Sequence, residues 1–188
     1  SNQWVEENLK KEAQARGIEP GRVIFSSKCG YSEYLARLAK ADLFLDTFNY
    51  NAGAVANDAL WCGLPVLTHQ GQSYVARMVS SLLTAIDIPE LITTTEADYE
   101  KLALDLATNP EKLKSLKAKL ARNKDDTSLF NTEQFTGNIE AAYTEMYSRY
   151  VNGKKPEHLL VNGHGPPNIK ASVSDPLIAP PKQQVEAL

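Results

Sequence analysis

The stretch from Leu43 to Thr68, LFLDTFNYNAGAVANDALWCGLPVLT, constrains the fold more than any other part of the chain. It reads as an apolar run, a loop of small residues, a short helix ended by Gly63 and a second apolar run. That order aims the N–H groups of a helix start at the mouth of a parallel sheet, where α/β proteins bind anions and nucleotides.

The flanking sequence alternates in the same way. Trp4 to Arg16 is amphipathic at helical spacing, and Gly17 offers a stop. Arg22 to Ser26 (RVIFS) predicts a strand, Tyr31 to Lys40 a helix, and Asp42 to Asp46 a strand buried on both faces. Ala54 to Cys62 is expected to be helical, Pro65 to Thr68 a strand, and Ser73 to Leu83 a helix capped by Ser73. Leu91 to Thr93 predicts a short strand. Thr95 and Asn109-Pro110 then open helices ending near Thr108 and Arg122. Thr132 to Tyr150 predicts a long last helix rich in aromatics.

Strands alternating with helices predict an α/β fold: a Rossmann-like parallel sheet with helices on both faces. About four strands are legible, fewer than a doubly wound sheet usually carries. The partner strand would lie before Trp4, so the chain is expected to be truncated at its N-terminal strand. Residues 1–151 are read as one lobe. Residues 152–188, which hold six of the ten prolines, are read as an extended or disordered Pro-rich tail.

Composition excludes several functions. The net charge of −3 and the short, acid-flanked lysine cluster at Lys112, Lys114, Lys117 and Lys119 argue against a nucleic-acid surface. No apolar run approaches membrane-spanning length, and no signal peptide is legible, so a cytoplasmic protein is expected. Cys29 and Cys62 lack metal or redox spacing and read as buried free thiols. His69, His158 and His164 form no metal-ligand pair, so no metal and no cofactor is expected. There is no P-loop, no G-x-S-x-G and no G-x-G-x-x-G.

What remains is the loop at Asn51-Ala52-Gly53-Ala54. Its small residues let a phosphate approach the backbone, and the N–H groups near Ala54 and Val55 are natural donors. Asp58, one turn inside the helix, could accept from a pair of ribose hydroxyls. Equally, Gly53 could simply relieve a tight turn and Asp58 face solvent.

The sequence resembles the C-terminal catalytic lobe of the protein O-GlcNAc transferases (glycosyltransferase family 41, the tetratricopeptide-linked enzymes). The matching pieces are ADLFLDT at 41–47, Asn51, and DALWCGLPVLT at 58–68. The likeness continues through Gly71, Ala76-Arg77, SSLL at 80–83, PELI at 89–92, 99–106 and LFNT at 129–132. It covers roughly residues 3 to 150.

The resemblance implies a two-lobed GT-B fold with UDP held by the Rossmann-like lobe. The implied reaction is metal-independent, inverting transfer of GlcNAc from UDP-GlcNAc to Ser or Thr of proteins. It makes residues 1–151 the nucleotide-sugar-binding lobe. Gly53, Ala54 and Val55 would cradle the diphosphate, Asp58 would bind the ribose, and Tyr34 and Arg37 would meet the uracil. The catalytic residues are left unidentified, with the missing N-terminal lobe as their expected place. That lobe and its repeats would engage the protein acceptor. The family usually has His-Thr-Thr where this chain has Gly53-Ala54-Val55. A uracil-stacking histidine of the family aligns with Tyr34. The alternatives are a degenerate lobe with a structural or interaction role, or a GT-B enzyme using another UDP-sugar.

Overall fold

The apolar run after Leu64 becomes the centre of a small parallel sheet. In the computed structural model, which describes residues 2–161, strand β2 (Val66–His69) lies between β1 (Phe44–Leu45) and β3 (Ile92–Thr93). Both pairings are parallel: Phe44 sits opposite Val66 and Leu45 opposite Leu67, then Thr68 opposite Ile92 and His69 opposite Thr93. The chain divides into two compact units, Ser1–Leu129 and Phe130–Leu188.

The first unit carries the sheet. Its helices are α1 (Gln3–Ala15), α2 (Tyr31–Leu38), α3 (Ala54–Trp61), α4 (Met78–Ala85), α5 (Glu96–Thr108) and α6 (Pro110–Asp126). Helices α3, α4 and α5 all touch β2, so Val66, Leu67 and Thr68 are fully buried. Around them close Ala59 and Leu60 from α3, Val79 and Leu83 from α4, Leu106 from α5, and Leu116 and Leu120 from α6. Each enclosed aliphatic side chain of this size contributes roughly 1.5–3 kcal/mol of burial energy. The second unit is built on one long helix, α7 (Thr132–Val151).

The local signals explain most boundaries. Gly17 and Gly63 take positive φ of 77° and 80° directly after α1 and α3, a backbone that only glycine adopts without strain. Thr95 and Asn109 cap α5 and α6 as their sequence predicts, accepting from Asp98 N–H at 3.0 Å and Lys112 N–H at 3.2 Å. The lysine-bearing helix is tied down by charge: Lys112 pairs with Asp105, Lys117 with Asp42 at 2.9 Å and Lys119 with Glu90 at 2.9 Å.

Four expectations need correction. Arg22–Ser26 is not a strand. Pro20–Arg22 forms a 3-10 turn, and the following residues run without a pairing partner among the described residues, leaving Ile24 85% exposed. A β-branched run makes a strand only where a neighbouring strand completes its hydrogen bonds. The Asp42–Asp46 strand shrinks to Phe44–Leu45 at an edge of the described sheet, and with Leu45 55% exposed it is not buried on both faces. Helix α4 begins five residues after Ser73. Ser73 Oγ accepts from Ala76 N–H at 3.3 Å within a turn, and Gly71 N–H donates to Ala76 O, so this segment is a loop closed on itself. Helix α6 runs on past Arg122 to Asp126.

Cys29 and Cys62 are free, as expected, but half-buried rather than enclosed. Residues 154–161 are irregular. The rest of the expected Pro-rich tail lies outside the described residues.

Candidate functional site

The loop between β1 and α3 is held from behind. Asp46, 4% exposed, accepts from Ala52 N–H at 2.8 Å and from the Thr68 hydroxyl at 2.7 Å. The Tyr99 hydroxyl on α5 donates to the Asp46 carbonyl at 3.0 Å. Asn51, 2% exposed, donates its N–H to Val75 O at 3.0 Å and its side-chain amide to Thr47 O at 2.8 Å. These bonds fix the entry to α3 without using the donors of its first turn.

Those donors stay open. The first intrahelical bonds run from Ala56 and Asn57 N–H to Gly53 O, both at 3.1 Å, so the N–H groups of Ala54 and Val55 point past the helix start. Gly53 occupies the cap position at φ −99° and ψ −98° with no side-chain cap. A Cβ placed there would meet nothing within 4 Å, so the space before the helix is clear. The helix dipole adds a partial positive charge at the same point. Ala54 and Asp58 stand four residues apart on one helix face, about 6 Å along its axis at 1.5 Å per residue.

Asp58 does not stand alone. The Tyr31 hydroxyl on α2 donates to Asp58 Oδ1 at 2.9 Å. Tyr34 packs beside Tyr31 with ring centroids 6.0 Å apart, and its hydroxyl is buried without a hydrogen bond. Both phenols are held protonated above their ordinary range. For Tyr31 the hydrogen bond to Asp58 is the first cause, and for Tyr34 burial comes first, followed by the charge of Asp58. Burial and then Asp58 also push the Cys62 thiol up, against the pull of Lys124. Lys124 itself lies over the Trp61 ring, 4.9 Å from its centroid.

Thus α2 and α3 bring Tyr34 and Asp58 together, with Gly53, Ala54 and Val55 one turn away. Arg37 is turned toward the segment before α2: its guanidinium donates to Ser27 O at 3.1 Å and pairs with Glu33 at 3.3 Å. Reading the sequence missed two contributors, Asp46 and Tyr31. An acid ending an apolar strand run was the available signal for Asp46. Nothing in the sequence announces that Tyr31 reaches Asp58, 27 residues away.

His69 stacks against Phe48 with centroids 5.0 Å apart, and its Nδ1 is buried without a partner. Among the described residues no group of His, Cys, Asp and Glu could hold a metal ion. No helix among them is long and apolar enough to cross a membrane.

The sequence model of Glycosyl transferase family 41 matches residues 2–139. The chain belongs to this family. Among its family-41 relatives, the UDP-N-acetylglucosamine–peptide N-acetylglucosaminyltransferase of Caenorhabditis elegans is 31% identical over 86% of this chain and 14% of its own length. A probable enzyme of the same name from Arabidopsis thaliana is 31% identical over 83% of this chain and 16% of its own length. A solved mutant O-GlcNAc transferase of Thermobaculum terrenum superposes with a TM-score of 0.72 at 30% identity, covering 77% of this chain and 28% of that one. The family-41 chain therefore has the parallel α/β architecture of a GT-B lobe, as the sequence leads one to expect. It spans about a seventh of the length of these two curated relatives.

Proposed function

We propose that this chain is the donor-binding lobe of an inverting, metal-independent glycosyltransferase that carries GlcNAc from UDP-GlcNAc to Ser or Thr of proteins. The observation that supports it best is the open start of α3, with free N–H groups at Ala54 and Val55 one turn from a carboxylate at Asp58. A nucleoside diphosphate presents that pattern: an anion at one end and a vicinal diol beside it.

In this reading Gly53 leaves room for the diphosphate, and Ala54 and Val55 donate to it. Asp58 accepts from the ribose. Tyr34 and Arg37, both on α2, contact the uracil. As the bond from the sugar to UDP breaks, negative charge grows on the leaving diphosphate. Fixed N–H donors and the helix dipole stabilise that charge without having to reorganise. The acceptor protein would be engaged by parts outside this chain, in the cytoplasm.

Calorimetry of UDP with the full-length protein tests the reading: binding at micromolar concentration is expected, and none at millimolar UDP would overturn it. Asp58→Ala should weaken UDP at least tenfold, since a hydrogen bond to a charged group contributes roughly 1.5–3 kcal/mol. This chain by itself should show no transfer to protein acceptors.

Gly53-Ala54-Val55 supplies no side-chain donor to the diphosphate, which favours a second reading in which the lobe is structural or recruits a partner. Turnover of UDP-GlcNAc by the full-length protein would exclude it. Turnover of a different UDP-sugar in a donor panel would keep the fold assignment and change the sugar.

A further inference from the structure

Asp58 carries a fixed partner on one oxygen only. Tyr31 donates to Oδ1 at 2.9 Å, whereas Oδ2 accepts no hydrogen bond among the described residues. Tyr31 sits in the first turn of α2 and is 64% exposed, so it is open to solvent on the side away from the core. Behind the pair, Tyr34 closes off the carboxylate with a ring tilted 32° to that of Tyr31 and an enclosed hydroxyl.

A carboxylate free to turn about χ2 reads a diol poorly, because either oxygen can face either hydroxyl. A phenol bonded to one oxygen removes that freedom and leaves the lone pairs of the other at a set angle. The phenol is a donor throughout the neutral range, as an ordinary tyrosine is, and the bond to Asp58 holds its proton more tightly still. Once a ligand covers the site and excludes water, such a bond between a neutral donor and a carboxylate strengthens.

We infer that Tyr31 is the positioning residue of this site: by holding Asp58 Oδ1 it aims Oδ2 at the ribose hydroxyls and so makes the lobe select ribonucleotides over deoxyribonucleotides. The inference rests on the reading of Asp58 as the ribose acceptor. It adds that selectivity belongs to the pair across α2 and α3, not to the carboxylate alone. The Tyr34 hydroxyl lies beside the same carboxylate but is enclosed, so Tyr31 is the phenol that meets it from the open side.

The experiment compares binding of UDP and 2′-deoxy-UDP by the full-length protein and by its Tyr31→Phe, Asp58→Asn and Thr95→Ala variants, with thermal melting to confirm folding. Wild type should prefer UDP at least tenfold. Tyr31→Phe should cut that preference at least threefold through weaker UDP binding, with the affinity for 2′-deoxy-UDP unchanged. Asp58→Asn should abolish the preference, and Thr95→Ala, at the cap of α5, should leave it unchanged. If UDP binds and Asp58→Asn erases the preference while Tyr31→Phe leaves it intact, Tyr31 has no positioning role. An equal loss of both ligands in Tyr31→Phe would likewise overturn the inference in favour of a packing role. Failure of every form to bind UDP would strike the donor-lobe reading itself, and the inference with it.

Discussion

Among the described residues, four α-helices begin on a side chain and three do not, and the candidate site uses the second kind. Asn2, Thr95, Asn109 and Asn131 accept from the first-turn N–H groups of α1, α5, α6 and α7. By contrast α2, α3 and α4 open on Gly30, Gly53 and Arg77 with no side-chain cap. A cap and a ligand compete for the same donors. A capped helix is finished by its own sequence, whereas an uncapped one keeps its N–H groups for something else. Leaving α3 to a glycine cap forgoes only a few tenths of a kcal/mol, a loss that the web behind it, built on Asp46 and Asn51, offsets.

Breaking that web should have the largest effect. Asp46→Ala leaves the Ala52 N–H and the Thr68 hydroxyl without their acceptor. At roughly 1–3 kcal/mol for each buried polar group left unsatisfied, the variant should lose about 3 kcal/mol in urea denaturation and bind UDP more weakly as the loop loosens. A stability loss below about 1 kcal/mol would mean that α3 does not depend on Asp46.

Next comes the open end itself. Gly53→Asp places a carboxylate where the diphosphate is proposed to lie. At partly exposed separations of a few ångströms, like charges repel by about 1–4 kcal/mol. UDP affinity should fall at least tenfold while the melting temperature stays close to wild type, since a Cβ at Gly53 meets no atom within 4 Å. Unchanged affinity in calorimetry would move the diphosphate away from this helix start.

The same contrast explains what the sequence made legible. Caps are local, so Thr95 and Asn109 could be read from a few neighbouring residues, and Gly17 and Gly63 likewise marked their helix ends. The centre of the sheet was legible because LPVL, at 64–67, is apolar throughout. The failures at RVIFS and Ser73 are non-local. RVIFS has strand composition, but pairing depends on a neighbour that no short window contains. Ser73 looks like a cap, yet the close contact of Gly71 with Ala76 keeps the segment looped. At the candidate site, Gly53 to Asp58 could be picked out as a helix start, whereas the hold of Asp46 on Ala52 and of Tyr31 on Asp58 exists only once the chain has folded.

A capped helix supplies the control. Thr95→Ala removes the acceptor of the Asp98 N–H and should cost about 1 kcal/mol. UDP affinity should not change, because the side-chain bonds of Thr95 run to Asp98 and not to the candidate site. A parallel loss of UDP binding would show that capped and uncapped helices do not divide structure from ligand binding as their starts suggest.

The smallest effect lies where the two kinds of helix meet. Tyr99, on the capped α5, donates to the Asp46 carbonyl at 3.0 Å and packs edge-on against Phe48, with centroids 4.9 Å apart. Burial first, and the charge of Asp46 second, push its hydroxyl up to about 12 from the ordinary 10.0. The folded protein therefore holds this proton more tightly than the unfolded chain. That contribution to stability is complete below about pH 10 and is lost as pH rises through about 12. Tyr99→Phe should cost under about 1 kcal/mol near neutrality, the usual size of one neutral hydrogen bond, and should flatten the alkaline decline. Denaturation series from pH 8 upward, about two units either side of the ordinary tyrosine value, decide it. Curves for wild type and variant that stay parallel would mean that Tyr99 does not link α5 to the strand end beneath α3.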